Sequence, residues 1–150
     1  MSEIQIIPME ECHVPYVAEL EKLCFSDPWS ENSVKSELNN SLSLWLVAMD
    51  GNTLCGYIGS QSVAGESDMM NVAVHPDYRK QGIGRQLVSE LCTRLQDAGN
   101  TALLLEVRVS NDAAICLYES LGFATVGVRP NYYFHPKEDA RIMRKELKVQ

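Results

Sequence analysis

The segment Asn71-Val72-Ala73-Val74-His75-Pro76-Asp77-Tyr78-Arg79-Lys80-Gln81-Gly82-Ile83-Gly84-Arg85 decides the fold class of this chain. It joins an apolar strand, residues 69–74, to a helix that the apolar spacing predicts from about Ile83 to Asp97. Two glycines in the connection permit a tight turn and a close approach of the backbone to a ligand. The helix start adds unpaired N–H groups and the positive end of the helix dipole. With three basic side chains, these features predict a pyrophosphate site, and a basic surface turn is the alternative.

Two common nucleotide-binding patterns do not fit this segment. A P-loop requires GxxxxGK followed by Ser or Thr, and the chain contains no such run. A dinucleotide-binding turn requires a third glycine where Leu87 stands, and its helix opens a βαβ unit instead of following a meander of strands. Nucleoside triphosphates and NAD are therefore not the expected ligands.

The rest of the chain alternates between strand and helix patterns. Alternation predicts a strand over residues 4–6, and the Asp50-Gly51 turn signal joins predicted strands over 44–49 and 53–63. Helical spacing begins at Val14 and includes Glu21-Lys22, with Leu20, Leu23 and Cys24 widening the apolar face. Ser30 is predicted to cap a second, short helix. Downstream, residues 101–109 predict a strand covered on both faces, then a helix capped by Asn111 or Asp112, and strands over 123–128 and 140–145. The sequence therefore predicts an α/β sandwich of mixed sheet and helices, in a single domain over residues 1–150.

Bulk properties exclude several function classes. The net charge of −7 argues against general nucleic-acid binding, which depends on Lys and Arg meeting phosphate. No apolar run approaches the ~20 residues that span a membrane, and the first residues lack the layout of a signal peptide. The sequence predicts a soluble, cytoplasmic protein that binds neither nucleic acid nor membrane.

The cysteines and histidines show no metal or disulfide pattern. The five cysteines include no CxxC pair, and their odd number predicts reduced, mostly buried thiols in a reducing cytosol. Cys116 is expected to be a small buried hydrophobe, with an acyl-cysteine mechanism as the alternative. The three histidines are far apart in sequence, so no metal site is expected.

Two blocks of sequence carry a family resemblance. Gln81-Gly82-Ile83-Gly84, preceded by Arg79-Lys80, resembles the acetyl-CoA signature Q/R-x-x-G-x-G/A of the GNAT acetyltransferases. Leu105-Glu106-Val107-Arg108, with the run from Ser110 to Phe123, resembles the closing motif of that family. The segments 27–30 and 131–133 are similar to members that acetylate the N-terminal alanine of small-subunit ribosomal protein eighteen.

The resemblance implies a mostly antiparallel seven-stranded sheet flanked by helices, with acetyl-CoA as co-substrate. Glu106 resembles the general base and Tyr118 the general acid, and Asn111 is expected to contact the co-substrate beside its thioester. The backbone that should contact the pantetheine arm belongs to Val72, Ala73 and Val74. The residues that should hold the pyrophosphate are Lys80, Gln81, Gly82, Ile83, Gly84 and Arg85.

The chemistry of the two predicted catalytic residues can be considered from the sequence itself. Glu106 lies within an apolar run, where a carboxylate is costly to bury unless it is paired or has a task. The alternative is an exposed glutamate at a strand end, or a partner for Arg108. Tyr118 lies on an apolar helix face, so a core tyrosine with a satisfied hydroxyl is the alternative to an acid. A phenol near pKa 10 that faces a thiol near 8.5 makes the acid role feasible.

Aromatic residues near the end of the chain suggest an acceptor site. Tyr132 and Tyr133 follow Pro130 in what reads as a long final loop, where they form an aromatic wall for a peptide or a stabilising cluster under the loop. Trp29, with Asp27 and Glu31, is the candidate for a facing wall with negative charge.

Together with these features, the resemblance implies transfer of an acetyl group to a protein N-terminus, by direct attack within a ternary complex. An α-amine with a pKa near 7.7–8.0 is roughly 10–20% neutral at pH 7, whereas a lysine near 10.4 is almost wholly protonated. The predicted partner is the N-terminus of a basic ribosomal protein, and the enzyme is expected to be a monomer or weak dimer. The alternatives are acetylation of lysine side chains or small amines, and a non-catalytic acyl-CoA-binding module.

Overall fold

The computed structural model describes residues 3–148 and contains a seven-stranded mixed sheet with flanking helices. The helices are α1 Val14–Cys24, α2 Glu31–Glu37, α3 Ile83–Asp97 and α4 Asp112–Ser120. The strands are β1 Ile4–Pro8, β2 Ser43–Asp50, β3 Thr53–Val63, β4 Glu66–Val74, β5 Ala102–Arg108, β6 Ala124–Phe134 and β7 Lys137–Glu146. No helix of the described residues is long and apolar enough to cross a membrane.

The sheet order is β1-β2-β3-β4-β5-β7-β6. The pairs β1–β2, β2–β3, β5–β7 and β6–β7 are antiparallel, whereas β4 and β5 run parallel. A parallel pair requires a long crossover, and α3 supplies it between β4 and β5. The predicted α/β class and the mostly antiparallel sheet are therefore confirmed.

The chain divides into two compact units, each with its own packing. The first takes the chain up to Gln61 together with Met70–Leu91, and its core surrounds the stacked rings of Trp45 and Tyr57, whose centroids are 5.8 Å apart. The Ser30 hydroxyl accepts a hydrogen bond from the Ser33 N–H at 3.1 Å, so the predicted cap of α2 is confirmed. The single-domain boundary over residues 1–150 stays a prediction.

The second unit takes Ser62–Met69 and the chain from Cys92 onward, and it ends in a long hairpin. The predicted final loop after Pro130 is wrong, because β6 continues through Pro130 to Phe134 and pairs with β7 as far as Lys137. Proline lacks an N–H, but β6 is the edge strand and its register shifts between Arg129 and Tyr133, so both conditions that admit proline in a strand are met.

Three further expectations are corrected by burial. The strand β5 is not covered on both faces along its length: from Leu103 onward its residues alternate between buried and half-buried, and Glu106 and Arg108 lie on the half-buried face. Leu23 was expected on the apolar face of α1, yet it is 58% exposed. The thiols are not mostly buried, since only Cys55 and Cys92 are; Cys116 is exposed because the buried face of α4 carries other residues.

Candidate active site

The half-buried face of β5 carries Glu106, whose side chain is 25% exposed. One of its oxygens lies 3.6 Å from Nη2 of Arg129 on β6. Burial raises the pKa of the Glu106 carboxyl above its ordinary value, the Arg129 charge lowers it, and the Asp68 charge raises it. A raised pKa makes a carboxylate a better proton acceptor, so Glu106 is suited to act as a base.

The expected alternative partner of Glu106 was Arg108, and the structure corrects this. Nη1 of Arg108 contacts the carboxylate of Glu138 on β7 at 3.3 Å and donates to the Pro136 carbonyl at 2.8 Å. Arg108 therefore closes the β6–β7 hairpin against β5. Its guanidinium also lies 4.2 Å from the centroid of the Tyr133 ring, where a cation–π contact orients the ring.

The phenol of Tyr118 lies on the buried face of α4 and is 6% exposed. Its hydroxyl contacts the Met69 sulfur at 3.9 Å, which is a weak acceptor, and its ring meets that of Phe123 at 5.6 Å. Burial, with a smaller effect of Tyr133, raises the pKa of Tyr118 to about 12. The group is therefore protonated throughout the neutral range and available as a donor.

Asn111, expected to contact the co-substrate, is the residue that caps α4. Its side-chain oxygen accepts from the Ala114 N–H at 3.2 Å, which decides between the two capping residues that the sequence left open. The cap positions the start of the helix whose next buried turn carries Tyr118.

The two tyrosines of the predicted acceptor wall contact each other edge to face, with centroids 5.0 Å apart. Arg129 lies 5.6 Å from the Tyr132 ring, and the Glu106 charge raises the pKa of Tyr132 after burial does. Burial first, and then Tyr132, raise the pKa of Tyr133 to about 12. The second unit therefore brings Glu106, Tyr132 and Tyr133 together around two arginines.

Trp29 belongs to the first unit and packs into its core. Its ring meets that of Trp45 edge to face at 5.4 Å, and its backbone N–H donates to an oxygen of Glu21 at 2.8 Å. These contacts favour the stabilising interpretation of Trp29, although half-burial leaves part of the ring accessible.

The predicted pyrophosphate segment has the backbone that a phosphate site requires. Lys80 and Gly82 both adopt positive φ, 64° and 79°, immediately before α3. The first intrahelical bond runs from the Gln86 N–H to the Gly82 carbonyl at 3.0 Å, so the Ile83 and Gly84 N–H groups precede it. The Ile83 side chain is buried, and only its backbone can meet a ligand.

Arg79 is one of the three basic side chains of the predicted pyrophosphate site, but its guanidinium is engaged elsewhere. Its Nε donates to the Val74 carbonyl at 3.3 Å, and Nη2 lies 3.7 Å from the Cys24 sulfur. Arg79 therefore ties the connection back to the end of β4, which leaves Lys80 as the exposed lysine of the turn.

The strand segment expected to meet the pantetheine arm is packed closely from behind. A Cβ on Gly56 of β3 would lie 2.9 Å from the Ala73 carbonyl and 3.2 Å from a Leu87 methyl. Glycine at this position therefore lets β3 support Ala73 closely, while the flanking Val72 and Val74 are half-buried.

Replacement of Gly82 by alanine is expected to weaken CoA binding, because an L-residue at φ +79° costs roughly 1–2 kcal/mol and relaxes the turn. Isothermal titration calorimetry with CoA measures this as an increase of about 5- to 30-fold in Kd. Gly65→Ala is the matched control: its φ is +83° with no atom near the added Cβ, and it lies in the β3–β4 turn. Equal Kd values for the two variants would contradict the role of the Gly82 turn.

One group of possible metal ligands is present where the sequence predicted none. Ligand atoms of Glu10, Cys12 and His13 lie within 4.8 Å of one another. However, His13 Nδ1 already accepts from the Glu10 N–H at 2.9 Å, and two of the three residues are exposed. The trio therefore supplies a local turn contact, in which the His13 ring nitrogen is already an acceptor.

Comparison with known proteins decides the family. The sequence model of the acetyltransferase (GNAT) family matches residues 14–123. This chain belongs to the GNAT family. It is 38% identical over 140 residues to the [ribosomal protein bS18]-alanine N-acetyltransferase of Escherichia coli K12, covering 92% of this chain and 94% of that enzyme. The crystal structure of the E. coli enzyme matches with a TM-score of 0.90 at 35% identity, over 99% of this chain and 96% of that one.

Two mycobacterial relatives extend the match. The N-alpha-acetyltransferase RimI of Mycobacterium tuberculosis is 38% identical over 135 residues, which is 86% of this chain and 84% of that protein. An uncharacterized protein of Mycobacterium leprae is 40% identical over 135 residues, but the match spans only 37% of its length. The predicted GNAT fold and the resemblance to this subgroup are confirmed.

Sequence reasoning missed two side chains that organise these sites. Arg129 received no role because the predicted strand ends before it. A basic residue close in sequence to the aromatic pair is the signal that could have identified it. Glu21 belongs to the predicted helical spacing of α1, where the sequence assigned it no role, yet it is wholly buried. A carboxylate on the apolar face of a helix is the signal that could have found it.

Proposed function

We propose that this GNAT enzyme transfers an acetyl group from acetyl-CoA to the N-terminal amine of a protein. Its proposed acceptor is the N-terminal alanine of ribosomal protein bS18. One observation carries the proposal: a half-buried Glu106 carboxyl with a raised pKa lies beside the aromatic pair Tyr132 and Tyr133. The relatives named for that acceptor support it, since they match this chain over most of their length.

The residues present fit acetyl-CoA. The positive φ of Lys80 and Gly82 places successive backbone N–H groups in a turn before α3, and the exposed Lys80 adds charge for a pyrophosphate. The remaining members of the turn are Gln81, Ile83, Gly84 and Arg85. Val72, Ala73 and Val74 would meet the pantetheine arm through their backbone, and Asn111 would lie beside the thioester. When bound, acetyl-CoA supplies an activated acetyl group.

Glu106 takes the proton from the acceptor amine, directly or through a water molecule. The amine must be neutral to attack, and an N-terminus needs only a modest base because its pKa is near 7.7–8.0. Burial makes Glu106 a stronger base than an exposed glutamate, while the Arg129 charge favours its ionised form. The ring edges of Tyr132 and Tyr133 exclude water and orient the peptide.

Tyr118 acts on the departing sulfur. A phenol with a pKa of about 12 that faces a thiol near 8.5 cannot transfer its proton readily, since the difference is roughly 5 kcal/mol. Its role is therefore hydrogen-bond donation to the sulfur as charge develops, with the proton supplied later by solvent. The weak contact with the Met69 thioether is easily exchanged for this stronger acceptor.

We infer further that the enzyme acts in the cytoplasm and is a monomer or weak dimer with one domain in each chain. It is expected to bind neither nucleic acid nor a membrane. Its five free cysteines accord with a reducing compartment.

Mass spectrometry of acetyl transfer tests the proposal. The enzyme is incubated with acetyl-CoA and two basic peptides, one with a free N-terminal alanine and one N-terminally blocked with a free lysine. The first peptide alone should gain one acetyl group. Modification of the blocked peptide would instead favour lysine acetylation, and turnover of polyamines alone would favour a small-amine enzyme. Tight CoA binding without transfer to any amine would favour the non-catalytic module.

A further inference from the structure

Asp68 lies on β4 in the second unit, one strand away from Glu106, and its side chain is exposed. It is paired with Leu104 in the parallel register of β4 and β5. Glu106 is two residues beyond Leu104, so the side chains of Asp68 and Glu106 lie on the same face of the sheet. The strand spacing and rise place their Cα atoms on the order of 8 Å apart.

The electrostatic effects of Asp68 agree with this placement. Its charge raises the pKa of the Glu106 carboxyl and of the Tyr132 phenol. Both groups belong to the proposed acceptor site, so the Asp68 carboxylate acts on that site although it is not part of the predicted chemistry.

The carboxylates around this face lie in ion pairs with arginines, with one exception. Arg144 contacts the carboxylates of Glu66 at 3.2 Å and Glu146 at 2.7 Å. The other two arginines form the ion pairs Arg108–Glu138 at 3.3 Å and Arg129–Glu106 at 3.6 Å. Among residues 3–148, Asp68 has no ion pair.

An exposed carboxylate beside a second carboxylate favours the arrival of a cation. An amine that reacts at Glu106 places the next residues of its chain at steps of 3.8 Å. A lysine or arginine side chain at the second or third residue is long enough to cover the remaining distance to Asp68. A neutral side chain leaves that charge unmatched, and an acidic one is repelled.

We propose that Asp68 is a specificity-determining residue, which selects acceptors with Lys or Arg at their second or third position by pairing with that cation. This inference rests on the proposed N-terminal acetyltransferase function and names its acceptor class more narrowly. Since Asp68 is exposed, its substitution leaves the core of the fold untouched.

The test is a comparison of kcat/KM on peptides that begin with alanine and carry Lys, Gln or Glu at position two, with a second series varied at position three. In one of the two series, the wild-type kcat/KM should be about fivefold higher for the Lys peptide than for the Gln peptide. An ion pair near a protein surface can supply a difference of this size. Asp68→Asn should remove this preference, and Asp68→Lys should reverse it in favour of Glu. Added salt should reduce the wild-type preference by screening.

Glu119→Gln is the matched control, because it removes one exposed negative charge from α4 in the same unit. It should keep the wild-type preference. The inference fails if Asp68→Asn discriminates as the wild type does, or if the wild type acetylates all alanine peptides equally. The latter outcome leaves the proposed function intact. Transfer to none of the N-termini, in contrast, overturns the proposed function and the inference with it.

Discussion

The Glu106→Gln variant will lose about 10²- to 10⁴-fold in kcat/KM for acetylation of an N-terminal peptide, which is the usual contribution of a positioned base. Glutamine keeps the size of the side chain on β5 but cannot take a proton from the amine. Steady-state kinetics with a peptide of free N-terminal alanine measure the loss. Since Glu106 is not part of the phosphate turn, the Kd for CoA should stay within about twofold of wild type.

The pH dependence separates a base from a merely structural carboxylate. Glu106 must be ionised to accept a proton, so kcat/KM falls as the pH is lowered through its pKa, which burial raises. Arg129 lowers that pKa, and Arg129→Gln should therefore move the acidic limb of the profile to higher pH. The titration of the peptide amine is common to all variants, so differences between profiles report Glu106. An unchanged acidic limb in Glu106→Gln would contradict the assignment.

Replacement of Glu21 by alanine is expected to lower the free energy of unfolding by roughly 3–5 kcal/mol. Glu21 on α1 is 0% exposed, and its oxygens accept hydrogen bonds from the Tyr57 hydroxyl, from Asn71 Nδ2 at 2.6 Å and from the Trp29 N–H at 2.8 Å. Alanine leaves the buried Tyr57 hydroxyl and the half-buried Asn71 and Trp29 donors without this acceptor, and it opens a cavity. Urea denaturation measures the loss as a lower midpoint.

Two further variants sharpen this prediction. Glu19→Ala changes an exposed glutamate on the same helix and should alter stability by less than about 0.5 kcal/mol. Glu21→Gln should lose less free energy of unfolding than Glu21→Ala, because its amide oxygen can still accept a hydrogen bond and no charge is buried. Burial raises the pKa of Glu21, so the charged form is the one that is costly to bury. If Glu21→Ala is as stable as Glu19→Ala, the network around Glu21 contributes nothing.

Much of the fold could be predicted because local signals and tertiary structure agree. The strand Thr53–Val63 and the helix Ile83–Asp97 have the predicted bounds, since period and stop signals are unambiguous there. The final hairpin was mispredicted because Pro130 reads locally as a strand end. Its place on the edge strand, which depends on the order of all seven strands, and the register shift beside it make proline acceptable.

The residues of the candidate site also differ in how well the sequence predicts them. Gly82 and its neighbours could be identified from the sequence because a phosphate turn is local in the chain. The partners of Glu106 could not, because Arg129 and Asp68 reach it across strands whose register is set by the whole sheet. Arg108, only two residues from Glu106, was the natural candidate in sequence but pairs with Glu138.

The central claim is acetyl transfer to a protein N-terminus, and its most direct test uses full-length, unacetylated ribosomal protein bS18. After incubation with the enzyme and acetyl-CoA, tandem mass spectrometry locates each acetyl group. We expect the wild-type enzyme to place one acetyl group on the α-amine of the N-terminal alanine, and Glu106→Gln to give no more than the uncatalysed background. Acetyl groups on lysine side chains with an unmodified N-terminus would contradict it.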